Sequence, residues 1–169
     1  MTEVGFSEAN WVQRRLRLLA GTKPMALFLA KTMHHLDGPL MKRTDGRRSV
    51  TTLISGLPMV QLTTTGAKSG LPRTLPIIGV PDGDRLVLVA SNYGQAKNPA
   101  WFHNLVAHPD CTVAFRGRTI AMTAYEAEGD ERERLLALDL SVYPPRKHYQ
   151  ERAGDRRIPV MVLAPKVRA

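Results

Sequence analysis

The sequence contains one cysteine, few aromatic residues and no long apolar run. Cys111 alone cannot form an internal disulfide, which favours a reducing compartment. The start of the chain has no apolar signal core, and the apolar run 25–30 is far too short to cross a bilayer. We therefore expect a cytoplasmic protein.

Several common catalytic motifs are also missing. The chain has no GxGxxG after a predicted strand, no CxxC pair and no GxSxG elbow, so Rossmann-type binding and a hydrolytic triad are not expected. His103 and His108 are five residues apart, which does not place them on one helical face, and we expect no metal site with Cys111. We therefore expect a bound cofactor to supply the reactive group, while the protein holds it in position.

Acidic residues are in the minority, with 15 Asp and Glu against 24 Lys and Arg. The excess of positive charge is marked in residues 1–50, where nine basic residues stand against four acidic ones. Such charge attracts nucleic acid, an anionic membrane or a polyanionic small molecule, and a solvated basic face is an equal alternative. The few Phe and Tyr are unclustered and no nucleic-acid motif is present, so we expect no nucleic-acid partner.

The N-terminal third of the chain has a helical pattern. Val12, Leu16 and Leu19 recur at helical spacing within 8–20, and a second helix is predicted at about 25–35. Residues 37–48 are rich in turn formers and predict a loop. We therefore divide the chain into a basic helical extension over 1–50 and one folded domain over 51–169.

From residue 58 the pattern changes to short β-prone segments. Asp82-Gly83 lies between two apolar runs and predicts a hairpin, while Pro76 places its strand at a sheet edge or a bulge. Helices are predicted after the Asn98-Pro99 pair, with Asn98 as the cap, and from Asp130. The predicted strands are 58–64, 73–80, 85–91, 111–115, 118–127 and 158–165. This order indicates a mainly β (α+β) fold, an antiparallel barrel of about six strands with flanking helices.

A glycine-rich turn at 66-GAKSG-70 is the first candidate site. Glycines let consecutive backbone N–H groups approach an anion, and Lys68, Ser69 and Arg73 add donors suited to phosphate. The spacing is not that of the nucleotide-binding P-loop. A plain polar hairpin turn is the alternative.

The second and third candidates are 90–104 and 143–152. In the first, a strand end leads through a glycine loop to a helix N-terminus, which can bind a negative group, or the helix can simply pack on the barrel through Trp101 and Leu105. In the second, Tyr143 and Tyr149 lie in a proline-shaped loop, which is either a substrate lid or an ordinary surface loop.

These motifs, in this order, resemble one known family. The runs 62–77, 82–91, 97–105 and 158–165 are similar to the deazaflavin (F420)-dependent nitroreductases, the split β-barrel F420H2-dependent oxidoreductases of actinobacteria. The resemblance implies a split β-barrel that binds coenzyme F420, whose phosphate and polyglutamate tail are anionic. It also implies hydride transfer from reduced F420 to a small-molecule acceptor such as a quinone, an enoate or a nitro compound.

The resemblance also implies a set of cofactor-binding residues. Lys68, Ser69 and Arg73 would hold the acidic tail, and Ala67 stands where a basic residue is common. The remaining implied contacts lie along the ring edge (Thr74, Pro76, Ile77, Ile78), at the strand end (Ala90, Ser91, Asn92) and on the helix (Ala100, Trp101, Asn104).

On the acceptor side the resemblance implies a tyrosine-rich lid. Tyr143 and Tyr149 keep two of its positions, whereas Arg146 stands where a further tyrosine is expected. We expect Arg146 to stabilise an enolate or a quinol oxygen, or to bind an acidic acceptor, instead of supporting nitroimidazole reduction.

Three wider expectations complete the interpretation. Trp11, Leu16 and Leu19 beside three arginines in 8–20 predict peripheral contact with an anionic leaflet, with packing on the barrel or an oligomer contact as alternatives. Related barrels suggest a homodimer. An FMN-binding or haem-oxygenating barrel of the same class and a non-catalytic F420 or lipid carrier stay open as alternative functions.

Overall fold

The computed structural model describes residues 38–41, 43–44, 49–115 and 117–166. The helices predicted at 8–20 and 25–35, with the membrane contact proposed for the first, lie outside these residues. The loop predicted at 37–48 is wrong at 38–41 and 43, which are helical, whereas Thr44 lies in a turn.

Besides the helical residues 38–41 and 43, the described elements are four helices and seven strands, with two short 3-10 turns at Asn92–Gly94 and Pro144–Arg146. Helix α1 (Val50–Ser55) begins at Ser49, whose Oγ accepts a hydrogen bond from the Thr52 N–H at 3.0 Å. The other elements are β1 (Met59–Thr65), β2 (Pro72–Ile78), β3 (Val80–Asp82), β4 (Arg85–Val89), α2 (Ala100–Ala107), β5 (Asp110–Phe115), β6 (Arg118–Glu126), α3 (Gly129–Val142), α4 (Lys147–Ala153) and β7 (Val160–Pro165).

Seven strands form one antiparallel sheet in the order β2-β1-β5-β6-β7-β4-β3. The two edge strands, β2 and β3, are separated in the chain by Gly79 alone. The sheet must therefore curl until its two edges meet at one residue, which gives the split-barrel shape. The mainly β prediction is confirmed, and the expected six strands become seven because Gly79 divides the predicted strand 73–80.

Alternating side chains of the sheet supply two separate apolar cores. Inside the curl, Leu88 and Met161 pack with residues of β1, β5, β6 and α2, forming the inner core. On the other face, Val87 and Val160 pack under α3 and α4, forming the outer core. Strands β4 and β7 are thus buried on both faces, which explains their continuous apolar sequences.

Two local predictions near the candidate sites are wrong. Helix α2 begins at Ala100 with Pro99 at its cap position, so Asn98 does not cap it. The predicted loop 143–152 is instead a 3-10 turn followed by α4, because Tyr143 and Tyr149 turn inward and bury their rings in the outer core. The hairpins at 82–85 and 115–118, the edge position of Pro76 and helix α3 are confirmed.

Candidate active site

The glycine-rich turn between β1 and β2 is closed by its own backbone. The Gly66 N–H donates to the Leu71 carbonyl at 2.9 Å, and the Gly70 N–H donates to the Gly66 carbonyl at 2.8 Å. The Ser69 hydroxyl folds back on the turn and accepts from the Leu71 N–H at 3.3 Å. Ser69 therefore helps to shape the turn, and the charged donors beside it are left to Lys68 and Arg73.

Asn104 joins this turn to helix α2. Its Oδ1 accepts from the Ala67 N–H at 2.9 Å, and its Nδ2 donates to the Thr64 Oγ1 at 3.0 Å. Both bonds connect segments some forty residues apart in the chain, and the Asn104 side chain is buried. The Asn104 amide thus joins two of the sequence motifs, as an acceptor to one partner and as a donor to the other.

We call residues 66–73 the cationic turn. Lys68 and Arg73 are exposed, and neither forms an ion pair with any residue that the structure describes. Arg73 is paired directly with the buried Thr64 across β1 and β2, so its side chain leaves the sheet on the face where Asn104 lies. Two positive charges therefore stand beside the junction with α2.

The predicted ring-edge residues of β2 do not share one face. Thr74, Pro76 and Ile78 alternate with Ile77 along the strand. Ile77 packs against the inner core and Ile78 against the outer core, while the Thr74 hydroxyl bonds the Thr63 hydroxyl at 2.8 Å. One flat ring cannot contact all four side chains from one side.

The strand end predicted to approach the ring continues into an unusual backbone. Ala90 and Ser91 are buried, and Asn92 (φ 45°) and Tyr93 (φ 56°) then adopt the left-handed region before Gly94 (φ 78°). Two consecutive non-glycine residues in this region cost about 1–3 kcal/mol each and persist only where other contacts impose them. The Asn92 Nδ2 donates to the Lys97 carbonyl at 2.9 Å and closes the segment 90–98, which we call the 90–98 loop.

Helix α2 follows this loop and meets the barrel through its aromatic side. Trp101 and Phe102 are buried in the inner core, whereas Ala100 at the first turn is exposed. Trp101 thus packs on the barrel as predicted, and Asn104, one turn after Ala100, joins α2 to the cationic turn.

The three residues predicted for the acceptor side lie together, but they are buried. The Tyr143 and Tyr149 hydroxyls are 3.0 Å apart, and burial raises the pKa of both phenols. The Arg146 guanidinium lies over the Tyr143 ring and its Nη1 donates to the Ser91 Oγ at 3.0 Å. The cluster of Tyr143, Arg146 and Tyr149 therefore contacts the 90–98 loop through Ser91.

The Arg146 charge is balanced inside the protein. Its Nε lies 2.5 Å from the Asp139 Oδ2, and Asp139 and Arg146 are 1% and 7% exposed. Burial raises the pKa of the Asp139 carboxyl, and the nearby Arg146 offsets only part of this effect. The arginine is therefore held by a buried carboxylate on α3.

The described residues contain no cluster of three or more His, Cys, Asp or Glu side chains able to hold a metal ion. Within the same ranges, no helix has the length and apolar character needed to cross a membrane.

Comparison with known proteins shows the family to which this chain belongs. The family model of F420H(2)-dependent quinone reductases matches residues 36–165. The chain belongs to this family. An F420H(2)-dependent quinone reductase of Mycobacterium tuberculosis is 36% identical over 109 residues, which cover 63% of this chain and 72% of that protein.

Two solved structures are similar to this member of the quinone reductase family. One is described as an F420-H2 dependent reductase, is 40% identical and has a TM-score of 0.58 over 63% of this chain and 93% of that chain. The other is described as a domain-swapped dimer, is also 40% identical and has a TM-score of 0.59 over 63% of this chain and 79% of that chain. The resemblance seen in the sequence is confirmed: the protein is an F420H2-dependent oxidoreductase and its cofactor is coenzyme F420.

The cationic turn of this family member fits the anionic tail of F420. A Cβ at Gly66 would lie 2.5 Å from the Ser69 Oγ, so glycine keeps the turn compact. Lys68 and Arg73, which have no ion-pair partner among the described residues, are the donors that a phosphate and carboxylates need.

Sequence reasoning missed two residues of this quinone reductase family member that support the site. Arg156 lies between α4 and β7, and its guanidinium donates to oxygens of Ala90, Ser91, Gln95 and Asn98. Asp139 lies on α3 and pairs with Arg146. Neither falls in a motif, because Arg156 reaches the 90–98 loop and Asp139 reaches Arg146 only through the tertiary fold.

Proposed function

We propose that reduced F420 binds along the cationic turn and the first turn of α2, with its ring beside the 90–98 loop, and that the acceptor is a quinone. When bound, the cofactor supplies the hydride, and a proton from solvent or a side chain completes the reduction of the quinone to a quinol. The Asn104 bridge between the turn and α2 is the observation that carries this proposal, because it fixes the predicted tail and ring contacts relative to each other.

Lys68 and Arg73 have distinct tasks in this arrangement. Arg73 presents a planar fork that suits bidentate binding of a phosphate, and Lys68 adds a mobile point charge for the carboxylates of the tail. With Ala67 in place of a further basic residue, the turn carries its charge on these two side chains. We expect tail binding in this protein to weaken with added salt.

The ring would meet mostly small or apolar groups. Ala90, Ser91, Asn92, Ala100 and Trp101 stay the proposed contacts, and the buried Trp101 makes this wall rigid. Rigidity matters because hydride transfer requires ring and acceptor at about 3–3.5 Å, and a small misplacement slows the reaction strongly.

Tyr143, Arg146 and Tyr149 stay the proposed acceptor-side residues. Their burial and the Arg146 bond to Ser91 Oγ favour an action through the 90–98 loop in this conformation. Kinetics of Arg146→Ala with menadione and with a nitroimidazole test whether the arginine also stabilises the developing quinol oxygen. A loss with menadione is expected, and unchanged rates with both acceptors would remove the arginine from the reaction.

Removing either charge from the cationic turn tests the proposed function directly. Lys68→Ala and Arg73→Ala should each weaken F420 binding about tenfold or more, since one charge-assisted hydrogen bond contributes about 1.5–3 kcal/mol. Turnover at saturating F420 should change by less than about threefold, because the ring contacts remain. Quenching of F420 fluorescence measures binding, and absorbance of the oxidised cofactor measures turnover with menadione.

Arg118→Ala is the matched control for these variants. Arg118 is exposed and begins β6 at the Phe115 end of β5, the opposite end from the Cys111–Thr64 pairing beside the cationic turn. If all three variants bind F420 alike, the tail does not bind at the cationic turn and the proposal fails.

Assembly and membrane contact also remain proposals. On one sheet face Thr63 and Thr112 are half-buried and Thr74 is exposed, and a 40% identical solved structure is a domain-swapped dimer. Both observations support a homodimer, which analytical ultracentrifugation tests. Contact of the segment 8–20 with an anionic leaflet is tested by co-sedimentation with vesicles of phosphatidylglycerol.

A further inference from the structure

Arg156 has an unusual set of hydrogen-bond partners. Its Nε donates to the Gln95 carbonyl at 3.0 Å and its Nη2 to the Ser91 carbonyl at 2.8 Å. Its Nη1 donates both to the Ala90 carbonyl at 3.2 Å and to the Asn98 Oδ1 at 2.6 Å. All three nitrogens of one guanidinium are thus used by oxygens of the 90–98 loop.

None of these four acceptors carries a charge. Burial lowers the pKa of Arg156, but an arginine stays protonated at any pH at which the protein is folded. The bonds are therefore charge-assisted, and they are stronger than those between neutral groups. A lysine has one nitrogen and cannot reach oxygens that are spread over nine residues of chain.

The loop that Arg156 grips is also held tightly by α4. A Cβ at Gly94 would lie 2.7 Å from the Arg152 Cβ and 2.8 Å from the Tyr149 carbonyl oxygen, so the backbone of the loop touches the helix directly. The left-handed backbone at Asn92 and Tyr93 lies within the 90–98 loop. The contacts of Arg156 are thus placed where the chain needs external support to keep its conformation.

We propose that Arg156 is a positioning residue for hydride transfer, which fixes the 90–98 loop in the shape that sets the distance between cofactor ring and acceptor. This inference rests on the proposed function, because it requires the ring to lie beside that loop. Arg156 acts from behind the loop and needs no contact with cofactor or acceptor.

This role predicts a specific kinetic change. In Arg156→Ala, single-turnover oxidation of reduced F420 by menadione should slow about 10- to 100-fold, since small errors of geometry are costly in hydride transfer. The dissociation constant for F420 should rise less than about threefold, because the cationic turn is untouched. Stopped-flow absorbance gives the rate, and F420 fluorescence gives the affinity.

Three variants make the test decisive. Arg157→Ala removes the neighbouring exposed arginine and should match the wild-type rate. Arg156→Lys should stay slow, whereas added guanidinium ion should restore part of the rate of Arg156→Ala and leave wild type unchanged. An Arg156→Ala rate within twofold of wild type, or a rate and affinity that fall by the same factor, would overturn the inference.

Asn98→Ala keeps the inference testable even if Arg156→Ala does not fold. It removes the acceptor at 2.6 Å and should slow the reaction about two- to fivefold, and no effect would contradict the role. With both changes in one chain, the rate should equal that of Arg156→Ala alone, since the Asn98 bond no longer exists there. Independent, multiplying losses would contradict a shared action.

The two proposals can fail separately. If Lys68→Ala and Arg73→Ala weaken binding while Arg156→Ala reacts normally, only the positioning role is wrong. If the cationic-turn variants bind F420 like wild type, the proposed function itself is wrong.

Discussion

Buried charge is concentrated in three side chains of the described residues, Arg132, Asp139 and Arg146. Burial raises the pKa of the Asp139 carboxyl even though Arg146 lies beside it. A raised carboxyl pKa means that the charged form is less favourable in the folded protein than in the unfolded chain. The Asp139 carboxyl therefore favours folding below pH 3.8, its ordinary pKa, and this stabilisation is lost as the pH rises through the higher pKa of the folded protein.

The Asp139–Arg146 pair is therefore expected to serve the site more than stability. Asp139→Leu leaves a buried guanidinium without its carboxylate and should lower the free energy of unfolding by about 3–5 kcal/mol. The double variant Asp139→Leu, Arg146→Leu should recover most of this loss, because two apolar groups need no pairing. Urea denaturation at pH 7 measures all three proteins. A double variant that stays as unstable as Asp139→Leu would show that the ion pair stabilises the fold.

At this scale the sequence indicates some site residues and not others. Lys68 and Arg73 are candidates because cations in a glycine turn can bind an anion, and Asn104 is a candidate because it lies in a helix-start motif. Ser69 stays a predicted anion donor, since its Oγ accepts from the Leu71 N–H and its own O–H can still donate. Asp139 and Arg156 carry no local signal, since an ordinary helical acid and a loop arginine acquire partners only through the fold.

Among elements, the β3–β4 hairpin is tied to α3 by a group of charged side chains. The Asp82 carboxylate accepts from Arg85 Nη2 and from Arg134 Nη1 and Nη2, and Arg85 Nη1 also donates to Glu131 Oε1. These hydrogen bonds from Arg134 and Arg85 lower the pKa of Asp82 to about 2. The tie fixes α3, which carries Asp139, against the edge of the sheet.

The lowered pKa gives a pH-dependent contribution of predictable sign. Asp82 stabilises the fold fully above its ordinary pKa of 3.8, and this contribution is lost as the pH falls through about 2. Asp82→Asn should cost about 1 kcal/mol at pH 6, since the group is near the surface, and should flatten the decline of stability between pH 5 and 2.5.

Denaturant unfolding at a series of pH values measures this effect of Asp82. Asp84→Asn is the matched control, because Asp84 is exposed and has no ion pair with the residues that the structure describes. Equal pH profiles for Asp82→Asn and wild type would show that Asp82 does not tie the hairpin to α3.

Element types follow from sequence where the pattern is local. The hairpin around Gly83 and the hairpin at 115–118 each combine a turn signal with apolar flanking runs, and α3 combines an acidic first turn with leucines behind it. Residues 143–152 have no such combined signal. Two prolines and irregularly spaced tyrosines hide the helical pattern of α4, whose buried face is set by the packing of Tyr149. The start of α2 differs by one residue because Arg156, distant in sequence, takes the Asn98 side chain that would cap it.

At the scale of the whole molecule, Gly79 closes the barrel. Its N–H donates to the Pro58 carbonyl at 2.9 Å, and it is the single residue between the two edge strands. A Cβ there would lie 3.0 Å from Val60 Cγ2 and 3.5 Å from Leu88 Cδ2, so both strands pass close to residues of the inner core. The inner and outer cores, and hence α2 and α3 with their site residues, depend on this bend for their relative placement.

A larger side chain at Gly79 should therefore loosen the entire fold. Gly79→Val should lower the free energy of unfolding by about 1–3 kcal/mol through overpacking against Val60, as measured by urea denaturation. Gly38→Val is the control, since a Cβ there meets nothing within 4 Å among the residues that the structure describes, and it should change stability by less than about 0.5 kcal/mol. Val60→Ala should cost less in the Gly79→Val background than in wild type, because it relieves the clash. An equal cost in both backgrounds would place the barrel closure elsewhere.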